Sequence, residues 1–370
     1  MIASSRPLRI LHVDSGQEWQ SVRDQVRLLV DGLRAEPGIR QAVATLATSR
    51  LAAECEALGV PVVPLPWTPG SDPLTLQVLA RYVRASWDVF HAHDGTALAK
   101  LLYIQALAGS NTPLVASRRY GSVPTAPDRW RRAALVIAAS GPARDGLVAA
   151  GVEPGRVMVV PNGIDPGIVV EEQSDALREA IGAHPEHRLV ASFTALSRHR
   201  DHATLLRAAT HLAGRCPDAR FAVLGRGPER TNVEDLVEEL GLEGRVCLPG
   251  YLPDARRYMG DIDVFVMPAF DEELTSACLE AMVAGVPVVM PTASDSGAIE
   301  QSEQEPGPVR VPARHPEALA SALARLLTDS GFYRASAERG REFARRHGPA
   351  ALVARTLNAY RRIARRRRAA

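Results

Sequence analysis

The run Asp263-Val-Phe-Val-Met-Pro268 and, just behind it, Asp271 to Pro291 (DEELTSACLEAMVAGVPVVMP) decide the fold. Residues 263–268 have buried-strand character. Thr275 or Ser276 suits a helix N-cap, some nine residues of helical character follow, and Gly285 with Pro287 ends them. Val286 to Met290 is a second buried strand. Strand, loop, short helix and strand is the layout of a parallel α/β sheet.

Two carboxylates stand out in this stretch. Glu272 falls in the loop after the first strand. Glu280 sits on an otherwise apolar helix, four residues after Ser276 and so on the same face as the helix start. Ligands of open α/β sheets bind outside the carboxyl ends of the strands, and a helix N-terminus there offers N–H groups to a phosphate. A carboxylate beside a bound phosphate is repelled unless it faces hydroxyls. The pair therefore suggests a sugar on one side and a ribose on the other. The plainer alternative is a solvated helix with two surface glutamates.

Composition sets the bounds. A chain of 370 residues with 46% hydrophobic content makes two domains with full cores. The net charge of +2, with signs mixed, indicates no nucleic-acid partner. Cys55, Cys216, Cys247 and Cys278 lie far apart without metal spacing, as buried thiols in a reducing cytoplasm would. No run reaches the ~20 apolar residues of a membrane span, and the first residues lack an apolar signal core. A cytoplasmic protein is expected. Of the 44 basic residues only Lys100 is a lysine, so arginine is expected wherever a cation is needed.

Along the chain, Leu8 to Asp14 is a β run ending in Asp14-Ser-Gly16, whose loop can approach a phosphate or sugar; GxGxxG is absent, so no dinucleotide site is implied. Strands follow at Gln41 to Ala47, Val60 to Leu65, Trp87 to His91, Pro113 to Ser117, Ala134 to Ala138 and Val157 to Val160, most separated by helical segments. This is a doubly wound first domain. His91-Ala-His93-Asp94 ends one strand; a metal there lacks a third ligand cluster. The second domain restarts at Leu189 to Ala195, with strands at Phe221 to Leu224 and Val246 to Tyr251. Asp261-Ile-Asp263 has a DxD form but precedes its strand, which argues against a metal role. Helices are expected from Pro316 to Leu327, Phe332 to Arg346 and Ala350 onward.

Glu272, seven residues, Glu280, followed by AMVAGVPVV, resembles the signature of retaining glycosyltransferases of family 4. Val159-Val-Pro-Asn-Gly-Ile-Asp165 resembles that family's VVPNGVD step out of the first domain. The resemblance runs over nearly the whole chain. It implies the GT-B fold, two Rossmann-like doubly wound domains facing across a cleft. Residues 1–165 would be the acceptor-side domain and 166–349 the donor domain, with a helix from about 350 to 370 packing back on the first. It implies transfer of a sugar from a nucleotide-diphosphate sugar, with retention and no metal or other cofactor, to a cell-envelope glycan, lipopolysaccharide or lipid-linked acceptor.

The resemblance also assigns residues. His93 lies near the sugars, and Glu272 holds sugar hydroxyls. Glu280 holds the ribose, with Leu274, Thr275 and Ser276 at the helix start. Arg200 occupies the family's lysine position against the diphosphate. Gly225, in a GxGP-like turn, passes the nucleotide, and Gly16 approaches the donor. From their place at the strand ends rather than from the resemblance, Asp94, Arg118 and Arg119 are expected on the acceptor side, the arginines suited to an anionic acceptor or to pairing with carboxylates of the second domain. Three departures stand out: Ser21 and Val22 replace a Gly-Gly pair, Ala195 replaces a phosphate-binding arginine for which Arg198 is a candidate substitute, and Glu273 replaces a glycine. They keep open a degenerate protein that binds a sugar nucleotide or a partner without catalysis. The basic tail, Arg361-Arg362 and Arg365 to Arg368, is either a solvated helix end or a peripheral contact with the anionic inner face of the plasma membrane.

Overall fold

The protein is described from a computed structural model covering residues 6–16, 20–67, 72–119, 126–168, 174–252, 255–269, 274–292 and 306–369. Glu272, Glu273 and residues 293–305 lie outside the described residues, as does the side chain of Ser21. The chain divides into two compact units, residues 1–163 with 349–370, and residues 164–348.

In the first unit, strands β1 (Leu8–Val13), β2 (Ile39–Leu46), β3 (Val62–Leu65), β4 (Val89–Ala92), β5 (Leu114–Arg118), β6 (Leu135–Ala138) and β7 (Val157–Val159) form a parallel sheet in the order 3-2-1-4-5-6-7. The strands read as continuous apolar runs because helices cover both faces. One face buries Leu11, Val13, Phe90 and Ala92 with α3 (Pro73–Val83) and α4 (Gly95–Ala108). The other buries Ile10, Val89, Val115 and Ile137 against α1 (Gln20–Arg34) and α13 (Pro349–Ala369). Helices α1 and α13 touch closely: a Cβ on Gly32 would stand 2.3 Å from Val353 Cγ2.

The second unit repeats the plan. Strands β8 (Arg188–Phe193), β9 (Ala219–Leu224), β10 (Val246–Gly250), β11 (Val264–Val266), β12 (Val288–Thr292) and β13 (Val309–Pro312) lie parallel in the order 10-9-8-11-12-13. One face packs against α8 (His202–Leu212) and α11 (Pro316–Thr328), the other against α10 (Ser276–Val283) and α12 (Ser330–Arg345). In each sheet the strand order reverses between the first and fourth strands of the unit, β1/β4 and β8/β11. Ligands of doubly wound sheets bind outside the carboxyl ends of the strands at such switch points.

β13 has no apolar run to announce it, since Gly307-Pro308 and Pro312 flank only Val309, Arg310 and Val311. The DxD pair is structural. Asp261 accepts from the backbone N–H groups of Ser174, Asp175 and Leu177, and Asp263 from Leu189 N–H and Arg188. Cys55, Cys216 and Cys278 are buried free thiols, and Cys247 is half-buried.

Candidate active-site groups of the two domains

At the first switch point the apolar face under α13 turns polar at the carboxyl ends of three strands. The alternation carries Ile10 to His12 on β1, Val89 to His91 and on to His93 after β4, and Val115 to Ser117 and on to Arg119 after β5. His12 and His91 are direct partners across β1 and β4. The His91 and His93 rings lie tilted against each other with centroids 3.9 Å apart. His12 Nδ1 and His93 Nε2 share a hydrogen bond of 2.9 Å. His91 bonds through Nδ1 to the Tyr360 hydroxyl of α13 (2.5 Å) and through Nε2 to Ser117 Oγ (2.7 Å).

All three rings are buried, and burial holds each well below its ordinary pKa, His12 at about 3. They are neutral at physiological pH. One ring nitrogen from each lies within 4.8 Å of the others, near enough to suggest a metal centre. Both His91 nitrogens are already hydrogen-bonded, however, and the His12–His93 bond joins two of the candidate ligands directly.

Arg119 is 7% exposed and donates to the Val160 carbonyl. Burial lowers its pKa to about 10, and it remains cationic. Arg118 lies over the Trp130 ring at 5.6 Å. Asp94 caps α4 through Ala97 N–H and also accepts from Ser15 N–H, tying the β1 loop to β4. Gly16 has φ of +70°, and a Cβ there would press on Leu46 at 2.7 Å. Val22 points into the core, 3% exposed.

At the second switch point, α10 starts beyond β11 with Thr275 as N-cap, its hydroxyl accepting from Cys278 N–H. Ser276 is buried at the first helical position, and Leu274, half-buried, precedes the cap. Arg200 is half-buried, its Nη1 3.8 Å from Met267 Sδ at the end of β11. Arg198 points to solvent, 87% exposed, and pairs with Glu229 at 3.0 Å.

Glu280 is 9% exposed and faces Arg256, Oε1 to Nε 3.4 Å. Arg256 comes from the 3-10 helix at Ala255–Asp261, and no sequence motif announces it. The glycine turn after β9 has a clear cause. A Cβ on Gly225 would lie 1.8 Å from the Thr194 carbonyl oxygen, and one on Gly227 2.1 Å from that of Leu196. Leu196 N–H bonds to Arg226 O and Glu229 N–H to Leu196 O. The two loops flanking β8 and β9 therefore run backbone against backbone, which only glycine permits.

Residues 173–343 match the family model for glycosyl transferases group 1, and residues 22–167 match that for glycosyltransferase family 4. Each match covers less than half of the chain; with the two parallel-sheet Rossmann-like domains they indicate the GT-B fold of glycosyltransferases. The lipopolysaccharide core biosynthesis glycosyltransferase LpsE of Rhizobium meliloti is 34% identical over 128 residues, 35% of this chain and 37% of that protein. The 2-deoxystreptamine N-acetyl-D-glucosaminyltransferase of Streptomyces fradiae is 49% identical over 74 residues, 20% of this chain and 18% of that protein. The matched segments thus span well under half of either relative. In fold, the chain superposes on Anabaena HepE, solved in complex with UDP-glucose, with a TM-score of 0.75 at 21% identity over 95% of this chain and 100% of that one.

Proposed function

We propose that this protein transfers a sugar from a nucleotide-diphosphate sugar to a hydroxyl of a cell-envelope glycan or lipid-linked acceptor, with retention at the anomeric carbon and without a metal ion. The observation that carries the reading is the set of groups at the second switch point: a capped helix start, a basic residue at 200 and a nearly buried carboxylate at 280, in a domain matching the group 1 model.

On this reading the sugar–phosphate bond opens toward an oxocarbenium-like state. Arg200 and the N–H groups at Ser276 take up the charge developing on the diphosphate, a preorganised stabilisation that replaces a metal. Glu280 receives the ribose hydroxyls, Leu274 and Thr275 shape the entry, and Gly225 lets backbone approach the nucleotide. Glu272 holds sugar hydroxyls. Arg198, when released from Glu229, adds charge to the phosphates. In the first domain Gly16 and His93 meet the sugar, Arg118 and Arg119 meet an anionic acceptor, and Asp94, on the acceptor side, holds the Ser15-Gly16 loop against the start of α4. The acceptor oxygen bonds to the anomeric carbon on the side the diphosphate leaves, and its proton passes to the departing phosphate oxygen.

HepE's complex with UDP-glucose makes UDP-sugars the first donors to test. LpsE makes lipopolysaccharide precursors the first acceptors. Among the described residues no helix is long and apolar enough to cross a membrane. Arg361, Arg362 and Arg365 are exposed on α13, and this basic face suits peripheral contact with anionic lipid.

The test is a thermal-shift and donor-hydrolysis screen of UDP-, GDP-, ADP- and TDP-sugars in the presence of a chelator. Stabilisation and slow hydrolysis by one donor support the reading. Hydrolysis that needs added metal contradicts its metal-free part. Binding without hydrolysis or transfer to any acceptor favours a protein that holds a sugar nucleotide without catalysis.

A further inference from the structure

The His12–His93 bond raises a question of direction. Both rings are neutral, so each carries one N–H and one lone pair. In the 2.9 Å bond one ring donates and the other accepts. The two directions present opposite chemistry at the remaining His93 nitrogen, Nδ1, which has no hydrogen-bond partner among the described residues.

Gln41 on β2 decides the direction. Its Nε2 donates to the Val30 carbonyl oxygen at 2.6 Å. A carbonyl can only accept, so the amide cannot be turned over. The oxygen, Gln41 Oε1, is thereby left for His12, whose partner on β2 is Val43, two residues along on the same face. The Gln41 and His12 side chains interact, though more loosely than a full hydrogen bond, since Gln41 Oε1 and His12 Nε2 are both buried without one. A lone pair on Nε2 would face the amide oxygen and be repelled; an N–H there is attracted. His12 therefore carries its hydrogen on Nε2 and its lone pair on Nδ1, and His93 Nε2 must donate to it. His91 does not compete, because Tyr360 and Ser117 take both of its nitrogens.

We propose that His12 is a positioning residue that holds His93 as the Nε2–H tautomer, so that His93 offers the lone pair of Nδ1 to a substrate hydroxyl. His93 is then an acceptor of a sugar O–H. It cannot act as a donor to a phosphate or carbonyl oxygen. The tautomer follows from this chain's own bonds. The identity of the hydroxyl as a sugar's rests on the glycosyltransferase reading above.

The experiment is nitrogen NMR of the full chain labelled with ¹⁵N-histidine, near neutral pH, with His93→Asn and His12→Asn used to assign the two rings. Long-range ring correlations separate a nitrogen bearing hydrogen from one bearing a lone pair. The expected spectrum shows both rings protonated at Nε2 and unprotonated at Nδ1. Hydrogen on His93 Nδ1, an average over both nitrogens, or signals that shift on adding zinc and return with a chelator would each overturn the proposal, the last by making the trio a metal site.

A kinetic arm follows once a donor and acceptor are known. His12→Asn keeps an acceptor near the Nδ1 position, and His12→Leu removes it. The leucine variant is expected to lose about tenfold or more in kcat with the donor KM little changed, and the asparagine variant to recover most of it. Equal rates for wild type and His12→Leu would overturn the positioning role. Failure of the wild type to transfer any sugar would count against the glycosyltransferase reading, while the tautomer stands or falls on the NMR result.

Discussion

Glu280 and Arg256 face each other at 3.4 Å with side chains 11% and 9% exposed, so the carboxylate read as a ribose ligand also has a fixed cationic neighbour. The guanidinium holds the carboxylate in one orientation, and a ribose diol would share it. Removing the carboxylate altogether leaves Arg256 without this partner, which for a buried pair costs about 3–5 kcal/mol. Glu280→Ala therefore mixes folding with binding. Glu280→Gln keeps the shape and one acceptor oxygen. It is expected to lower the melting temperature less than Glu280→Ala while still weakening nucleotide binding about tenfold or more. Equal melting temperatures for the two variants would show that Arg256 does not depend on the shape and acceptor oxygen that glutamine keeps.

The cap of α10 gives a second prediction. Thr275→Ala removes the oxygen that accepts from Cys278 N–H and should cost about 1 kcal/mol in urea unfolding, whereas Thr275→Ser should be near neutral. A neutral alanine variant would mean that the cap carries no weight.

The third concerns pH. His12, His91 and His93 have folded-state pKa values pushed below the ordinary 6.5 by burial. As pH falls below 6.5, the unfolded chain takes up protons on these residues and the folded protein does not, until about pH 3 for His12. Their contribution to stability is therefore complete above the unfolded pKa and is lost as pH falls. Each histidine adds about 1.4 kcal/mol of lost stability per pH unit once the unfolded form is fully protonated. Chemical denaturation at about pH 7 and about pH 5 should show the first unit weakening, and a His12→Asn variant should show a shallower slope. A slope unchanged by the substitution would contradict the burial of a neutral ring.

Gly225 offers a fourth test. A Cβ there meets a carbonyl oxygen at 1.8 Å on backbone with φ of +149°, so Gly225→Ala must displace the loop at Thr194. It should sharply lower the melting temperature of the second unit and abolish nucleotide binding. Gly214→Ala, with no atom near its added Cβ, is the control and should leave both unchanged.

The sheets were legible in the sequence because parallel strands buried on both faces are uninterrupted apolar runs, and Gly285 and Pro287 mark where α10 stops. The sites were legible where one local segment carries them, as at Thr275 to Glu280. They were hidden where the fold joins distant segments. His12 and His91 become partners only because β1 lies beside β4 in the sheet, with two strands and three helices between them in the chain. Tyr360 reaches His91 only because α13 returns to the first unit. The period-2 continuation from Ile10 to His12 and from Val89 to His93 was a usable signal, since a polar residue at an inward position of a buried strand requires a partner. Arg256 left no such trace, and the close approach of the Thr194 carbonyl to Gly225 joins two loops that the sequence keeps thirty residues apart.

The central claim is that the second domain binds a nucleotide-diphosphate sugar with Glu280 at its ribose. Calorimetric titration of UDP, GDP, ADP and TDP into the wild-type protein and Glu280→Gln, with a chelator present, tests it most directly. The account predicts saturable one-to-one binding of at least one of these nucleotides without metal, weakened about tenfold or more in the glutamine variant. Binding of none of them, or equal affinity in the two proteins, would contradict it.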